Sequence, residues 1–501
     1  MKTYLKYLAF ASILAVGCDA ELENPIDEDG FYTSGEADFS NFVSVGNSLT
    51  AGYADGALYI TGQENSLPNI MAGQFKLAGG GEFKQPLMAD NLGGLKLGGE
   101  VIAENRFVLT AQDAVTPIGP ARLAGDPQTD ITNVLSGSFN NYGVPGAKSF
   151  HLGASGYGNV ARVPDNANPY FVRFASSADA TVLGDALAQS PTFFSLWIGN
   201  NDILSYATSG GIGVDTNDQE NLNLDPSTYG PNDITNTQVF ASVYNDLVAA
   251  LSGSTTGGVV FNIPDVTSIP YFTTVPYNAI PLDEATAEQV NAGYTQYNNG
   301  LLFAASLGAL EQEEVERRTI SFQEGQNAIV IEDEELTDLS ALGLPSIRQA
   351  TPEDLILLPA SSTLGTLANP NDPTTVRGVG VPLGDELVLI PEEQKSITDA
   401  QASYNAAIQN IASANGLAFV DVQGTLNQLA NGGITYDAGT LTSTFATGGA
   451  FSLDGVHPTP RGYAYLANLA IDAINTTYGS TVPKVNIGNY NTITVSNDVQ
   501  Q

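Results

Sequence analysis

A single cysteine, Cys18, stands in a chain of 501 residues, so an intrachain disulfide is excluded. Histidine is nearly as scarce, with His151 and His457 alone. With so few soft ligands and no His-Glu-x-x-His pattern, a catalytic or structural zinc site is not supported. Basic residues are also few: 17 Lys and Arg face 54 Asp and Glu, giving a net charge of -37. That surface repels nucleic acid and anionic membranes, which are discounted as substrates. The acidity is read as a solubility feature. Charged residues make up only 14% of the chain, against 43% hydrophobic, which is ample for a packed core. The 52 glycines, among many Asn, Ser and Thr, imply many turns.

The N-terminus reads as an address. Met1–Lys6 is a short basic region, and Tyr7–Val16 is an apolar stretch too short for a stable membrane span. It ends in Ala15-Val16-Gly17-Cys18, which resembles a bacterial lipoprotein signal with cleavage before Cys18 and lipid on its thiol. Such processing consumes the only thiol and removes any cysteine nucleophile. Residues 1–17 are then a signal peptide and 18–38 an acidic tether. The implied location is the bacterial cell envelope, lipid-anchored at the outer membrane, and the acidic stretch after Cys18 resembles those that direct some lipoproteins to the cell surface. Membrane contact is expected through that anchor only, and the protein is expected to be a monomer.

Further along, apolar runs alternate with helical patterns. Asn41–Val45, Thr192–Ile198, Gly258–Ile263 and Leu417–Val422 read as strands, the second a continuous apolar run suited to a sheet covered on both faces. Helices are expected around 69–77, 179–189, 238–251, 398–415 and 460–475, and over 283–318 with a break at Gly293 or Gly308. Another strand is expected at 328–331, and one or two short strands after Tyr478. The alternation predicts a three-layer α/β/α domain with a parallel central sheet over residues 39–480. Large insertions are expected near 205–235, in lid-like form, and near 325–395, with a C-terminal tail at 481–501. In such sheets ligands bind at the carboxyl ends of the strands.

Several polar motifs follow those strands. Gly46-Asn47-Ser48-Leu49 sets a serine at the end of the first one. A serine hydroxyl needs a base, a group that orients the base, and donors for the oxyanion. His457 follows Asp454 by three residues, a spacing that lets the carboxylate hold Nδ1 while Nε2 faces a nucleophile. His151 has no nearby carboxylate and reads as a buried or cleft-lining side chain. Oxyanion donors are on offer from the Ser48 N–H, the Gly146 N–H and the Asn201 side-chain amide. The acidic stretch Asp215–Glu220 lacks the ordered loop of a calcium site.

Each motif alone is common, but their order is informative. Gly46-Asn47-Ser48-Leu49-Thr50, Gly143-Val144-Pro145-Gly146-Ala147, Gly199-Asn200-Asn201-Asp202 and Asp454-Gly455-Val456-His457-Pro458 resemble the four blocks of the SGNH (GDSL) hydrolases. The resemblance implies a flavodoxin-like hydrolase fold and a serine esterase or lipase that needs no metal or other cofactor. It makes Ser48 the nucleophile, His457 the base and Asp454 its orienting acid, with Ser48, Gly146 and Asn201 forming the oxyanion hole. The substrate is then an ester of a lipid or an acylated glycan. Two other readings stay open: a glycan O-acetyl esterase or O-acyltransferase, and a surface lipoprotein that binds glycan or lipid without turnover. The chain departs from the family where Asn47 replaces the usual Asp before the nucleophile.

Overall fold

The computed structural model describes residues 31–111 and 118–500. Cys18, the signal segment and most of the acidic tether lie outside the described residues.

Five parallel strands form the centre: β1 (Phe42–Gly46), β2 (Asn141–Gly143), β3 (Phe193–Trp197), β4 (Gly257–Phe261) and β5 (Ala418–Val420). Their spatial order is β2-β1-β3-β4-β5, the flavodoxin-like order, with its switch point between β1 and β3. The expected parallel α/β architecture is therefore observed. Every residue of β1, β3 and β4 is buried. Their near-continuous apolar composition follows from cover on both faces.

The helices include α1 (Ser48–Ala51), α2 (Leu67–Phe75), α3 (Asn201–Thr208), α4 (Thr237–Ser252), α5 (Glu284–Ser306), α6 (Gln312–Arg318), α7 (Pro391–Ala414), α8 (Val422–Gly432) and α9 (Pro460–Tyr478). Strand side chains alternate between faces. Val43, Val45, Phe194 and Leu196 pack with Phe240 and Tyr244 of α4 and Tyr404 of α7. Phe42, Phe193 and Val259 pack on the opposite face with Met71 and Phe75 of α2 and Ala467 and Ile471 of α9. This is the three-layer arrangement. Among the described residues no helix is long and apolar enough to cross a membrane.

A further apolar core draws on residues from Ile280 to Ile390, including Tyr297 and Leu301 of α5 and Val315 of α6. Of the two expected break points, α5 runs through Gly293 and stops before Gly308, which takes a left-handed φ of 71°. The expected strand at 328–331 forms as Val330–Glu332, but it pairs antiparallel with Ile347–Gln349 outside the central sheet. Ser205 to Thr208, expected as the start of a loop, instead complete α3. The C-terminal tail carries isolated bridges, such as Leu109 to Val495, in place of the expected strands.

Within this inserted core Arg348 holds two buried carboxylates. It bonds Asp354 through both terminal nitrogens, at 2.6 and 2.7 Å, and Asp333 through Nε. Asp354, 4% exposed, loses its cationic partner with Arg348 and is left as a stranded interior charge, while Asp333, 1% exposed, keeps Arg317 at 3.0 Å. Arg348→Met is expected to destabilise the chain by about 3–5 kcal/mol. Urea unfolding followed by circular dichroism checks this, and a loss below about 1 kcal/mol would show that the pair does not hold the unit together.

Candidate active site

β1 ends at Gly46, where a Cβ would fall 2.2 Å from Thr50 Oγ1 and 2.3 Å from the Trp197 carbonyl oxygen. Only glycine lets the chain turn this tightly beside β3. Asn47 then caps α1: its Oδ1 accepts from Leu49 N at 3.0 Å, and its Nδ2 donates to Asn200 Oδ1 at 3.1 Å. The residue that departs from the family pattern is thus wholly buried and ties the end of β1 to the end of β3. Ser48 is the first residue of α1 and is 6% exposed.

The last block comes in beside it. His457 Nε2 lies 2.9 Å from Ser48 Oγ, and His457 Nδ1 lies 2.9 Å from Asp454 Oδ2. The acceptor at Nδ1 assigns the proton to that nitrogen and leaves the Nε2 lone pair for the Ser48 hydroxyl. Asp454 is firmly held. Its Oδ1 accepts from Ser452 Oγ at 3.0 Å, Val456 N at 2.9 Å and His457 N at 2.8 Å. Its Oδ2 also accepts from Gly56 N at 2.8 Å. Burial pushes this carboxyl up, but the neighbouring His457 and these donors outweigh it and hold it at about 2. Tyr53 packs against the imidazole, with ring centroids 4.7 Å apart.

The remaining blocks gather at the same edge. A Cβ on Gly143 would fall 2.3 Å from Ala51 N, so the segment after β2 lies directly against α1. Val144 N donates to the Gly46 carbonyl at 2.9 Å, and Gly146 turns the chain with a left-handed φ of 81°. Asn201 opens α3, and its Nδ2 donates to the Ala147 carbonyl at 2.9 Å. One amide hydrogen is used there, and the amide carries a second. Asp202 fixes this junction by accepting from Ser149 N at 2.8 Å and Ser149 Oγ at 2.6 Å.

His151 is not part of this group. Its Nδ1 accepts from Lys148 N at 3.1 Å and its ring stacks on Tyr157 at 4.7 Å. Burial, with Lys148 nearby, lowers its pKa to about 4, so it is neutral at ordinary pH. Nor does Asp215–Glu220 gather as an ion site; Asp215 Oδ1 is engaged by Asn217 N and Nδ2 at 3.0 and 2.8 Å.

Asp55 is a site neighbour that motif reading passes over. Its N–H donates to Ser452 Oγ at 2.9 Å, its Oδ1 accepts from Leu453 N at 3.0 Å, and its Oδ2 accepts from Tyr59 Oη at 2.8 Å. It thereby braces the Ser452–His457 turn from below. Burial raises its carboxyl to about 6. The Asp55-Gly56 pair, a common turn dipeptide, was the available signal.

An apolar cavity of about 100 Å³ starts at Ser48 and His457. Leu204, Val266, Leu426, Leu429 and Phe451 are among its walls, with Asn201 also on the lining. Much of that wall comes from α8 and the segment leading to Phe451, a stretch without recognisable motifs.

No protein-family model matches the chain, and no curated protein matches it. Solved structures similar to it include an acetyl xylan esterase, Axe2, from Geobacillus stearothermophilus, with 11% identity, a TM-score of 0.31, and coverage of 87% of this chain and 95% of that one. Another is LAE5, an alpha/beta hydrolase enzyme from the metagenome of Lake Arreo, Spain, with 10% identity, a TM-score of 0.29, and coverage of 88% of this chain and 96% of that one.

Proposed function

We propose that this protein is an SGNH-type serine hydrolase that cleaves carboxylic esters carrying an aliphatic acyl chain. The observation that carries this reading is the 2.9 Å approach of Ser48 Oγ to His457 Nε2 at the mouth of the apolar cavity. Ser48 Oγ attacks the ester carbonyl carbon as its proton passes to His457 Nε2. The Ser48 and Gly146 N–H groups and the Asn201 amide hold the oxyanion. The tetrahedral intermediate collapses, the C–O bond to the alcohol breaks, and the imidazolium protonates that alcohol. Water then attacks the acyl-enzyme, with His457 as base again, and releases the carboxylic acid. Asp454 remains ionised throughout and holds the imidazole in the required tautomer.

The cavity supports a chain longer than acetyl. An acetyl group offers a single methyl to a lining that includes Leu204, Leu426, Leu429 and Phe451. Burying each further methylene adds about 0.8 kcal/mol, close to fourfold in kcat/KM while the chain still finds wall. Across p-nitrophenyl esters from acetate to palmitate, kcat/KM is expected to rise steeply from acetate. Leu429→Trp, which fills the cavity, is expected to move the optimum to shorter chains. A maximum at acetate in the wild type would overturn the acyl-chain assignment and favour an O-acetyl esterase.

A further inference from the structure

Away from Ser48, a group of acidic side chains meets at a junction between the inserted core and the sheet domain. Ligand oxygens of Glu334, Asp385 and Glu393 all lie within 4.8 Å of one another. They come from separate segments: the turn after Val330–Glu332, the short turn Asp385–Leu387, and the first turn of α7. Glu393 is 6% exposed. Its Oε2 accepts from Ile390 N at 2.8 Å, while its Oε1 is buried with no hydrogen-bond partner. A buried carboxyl oxygen without a partner is costly, and a native structure rarely leaves one so.

The backbone around the group makes room for it. Gly210 and Gly211, just past α3, take left-handed φ values of 68° and 79°. A Cβ on Gly211 would fall 1.5 Å from Glu393 Oε1, and one on Gly210 would fall 2.1 Å from the Asp385 carbonyl oxygen. The charged neighbours that act most strongly on the group are acidic as well, Glu332 and Glu386 among them. Burial and this crowding raise both Asp385 and Glu393 above the usual carboxylate range, so a cation bound there displaces protons.

We propose that Glu334, Asp385 and Glu393 form a calcium site that fastens the inserted core to α3 and α7. Calcium binds oxygen ligands at about 2.3–2.6 Å, so two oxygens on one ion stand at most about 5 Å apart. The observed 4.8 Å limit meets that condition. Magnesium demands a stiff octahedron at about 2.0–2.1 Å, which carboxylates from three separate segments suit less well than calcium's flexible shell. The donor set is all oxygen, with neither imidazole nor thiolate, which selects a hard cation over a transition metal.

The test uses the full chain stripped with EDTA and then titrated with calcium chloride or magnesium chloride. Calorimetric titration is expected to show one tight calcium per chain, and saturating calcium is expected to raise Tm by about 3 °C, more than equal magnesium does. Glu393→Gln and Glu334→Gln are each expected to abolish the tight site and the Tm increment. Glu334 is exposed, so its variant reports even where the buried Glu393 change hinders folding. A calcium effect that magnesium equals, or that survives in Glu334→Gln, would mean general screening of the acidic surface and would overturn the proposal, as would no calcium effect at all.

Discussion

Ser48→Ala is expected to lower kcat for p-nitrophenyl ester hydrolysis by about a million-fold. The change removes one oxygen, the atom that lies 2.9 Å from His457 Nε2. It leaves the Asn47 cap, the His457–Asp454 pair and the cavity in place, because those contacts use other atoms. Nucleophile and base act as a unit, so removing either costs nearly as much as removing both. A residual rate of about a thousandfold over water is expected from the oxyanion donors and substrate positioning. Ser48 is 6% exposed, and alanine fits its space, so the variant is expected to fold and melt like the wild type. Stopped-flow rates for both proteins, with melting curves alongside, check this. A loss smaller than about tenfold would remove Ser48 from the chemistry.

Asp454→Asn is expected to lower kcat by about ten-thousand-fold, through the tautomer rather than through packing. Three donors converge on Oδ1: Ser452 Oγ, Val456 N and His457 N. The asparagine carbonyl must therefore sit there. Its amide nitrogen then takes the place of Oδ2, facing Gly56 N and His457 Nδ1. Opposite an amide donor, Nδ1 becomes the acceptor and the proton moves to Nε2, where it blocks transfer from Ser48. The Gly56 N–H also loses its acceptor.

Stability changes in step. The Asp454 carboxyl is depressed to about 2 in the folded chain. Its contribution, roughly 2–3 kcal/mol, is present above its unfolded value near 3.9 and is lost as pH falls through about 2. The wild type is thus expected to be more stable than Asp454→Asn at pH 7, with the gap closing between about pH 4 and 2. Denaturation midpoints across pH check the gap.

The architecture was legible because buried parallel strands have little choice of composition. Thr192–Ile198 could hardly be anything else, and β3 forms within it. The four polar blocks were legible because they sit at strand ends, where the sheet order brings β1 and β3 together. What escaped the sequence depends on contacts between distant segments. Asp55 meets Ser452 and Leu453 across nearly 400 residues of chain, with no local pattern to announce it. The strand near 330 has the composition for a central sheet, yet it pairs with Ile347–Gln349 inside the inserted core. The wall of the cavity is ordinary amphipathic sequence: Leu426 and Leu429 of α8 look like core residues and are buried like them, but they border open space.

Covalent labelling tests the role of Ser48 as nucleophile most directly. The full chain is treated with a fluorophosphonate probe, digested, and its peptides are mapped by mass spectrometry, with Ser48→Ala in parallel. One stoichiometric adduct on Ser48 is expected, with loss of ester hydrolysis in proportion to labelling and no adduct in the variant. An adduct on another serine that accompanies loss of activity, or full activity in a protein labelled at Ser48, would contradict that role.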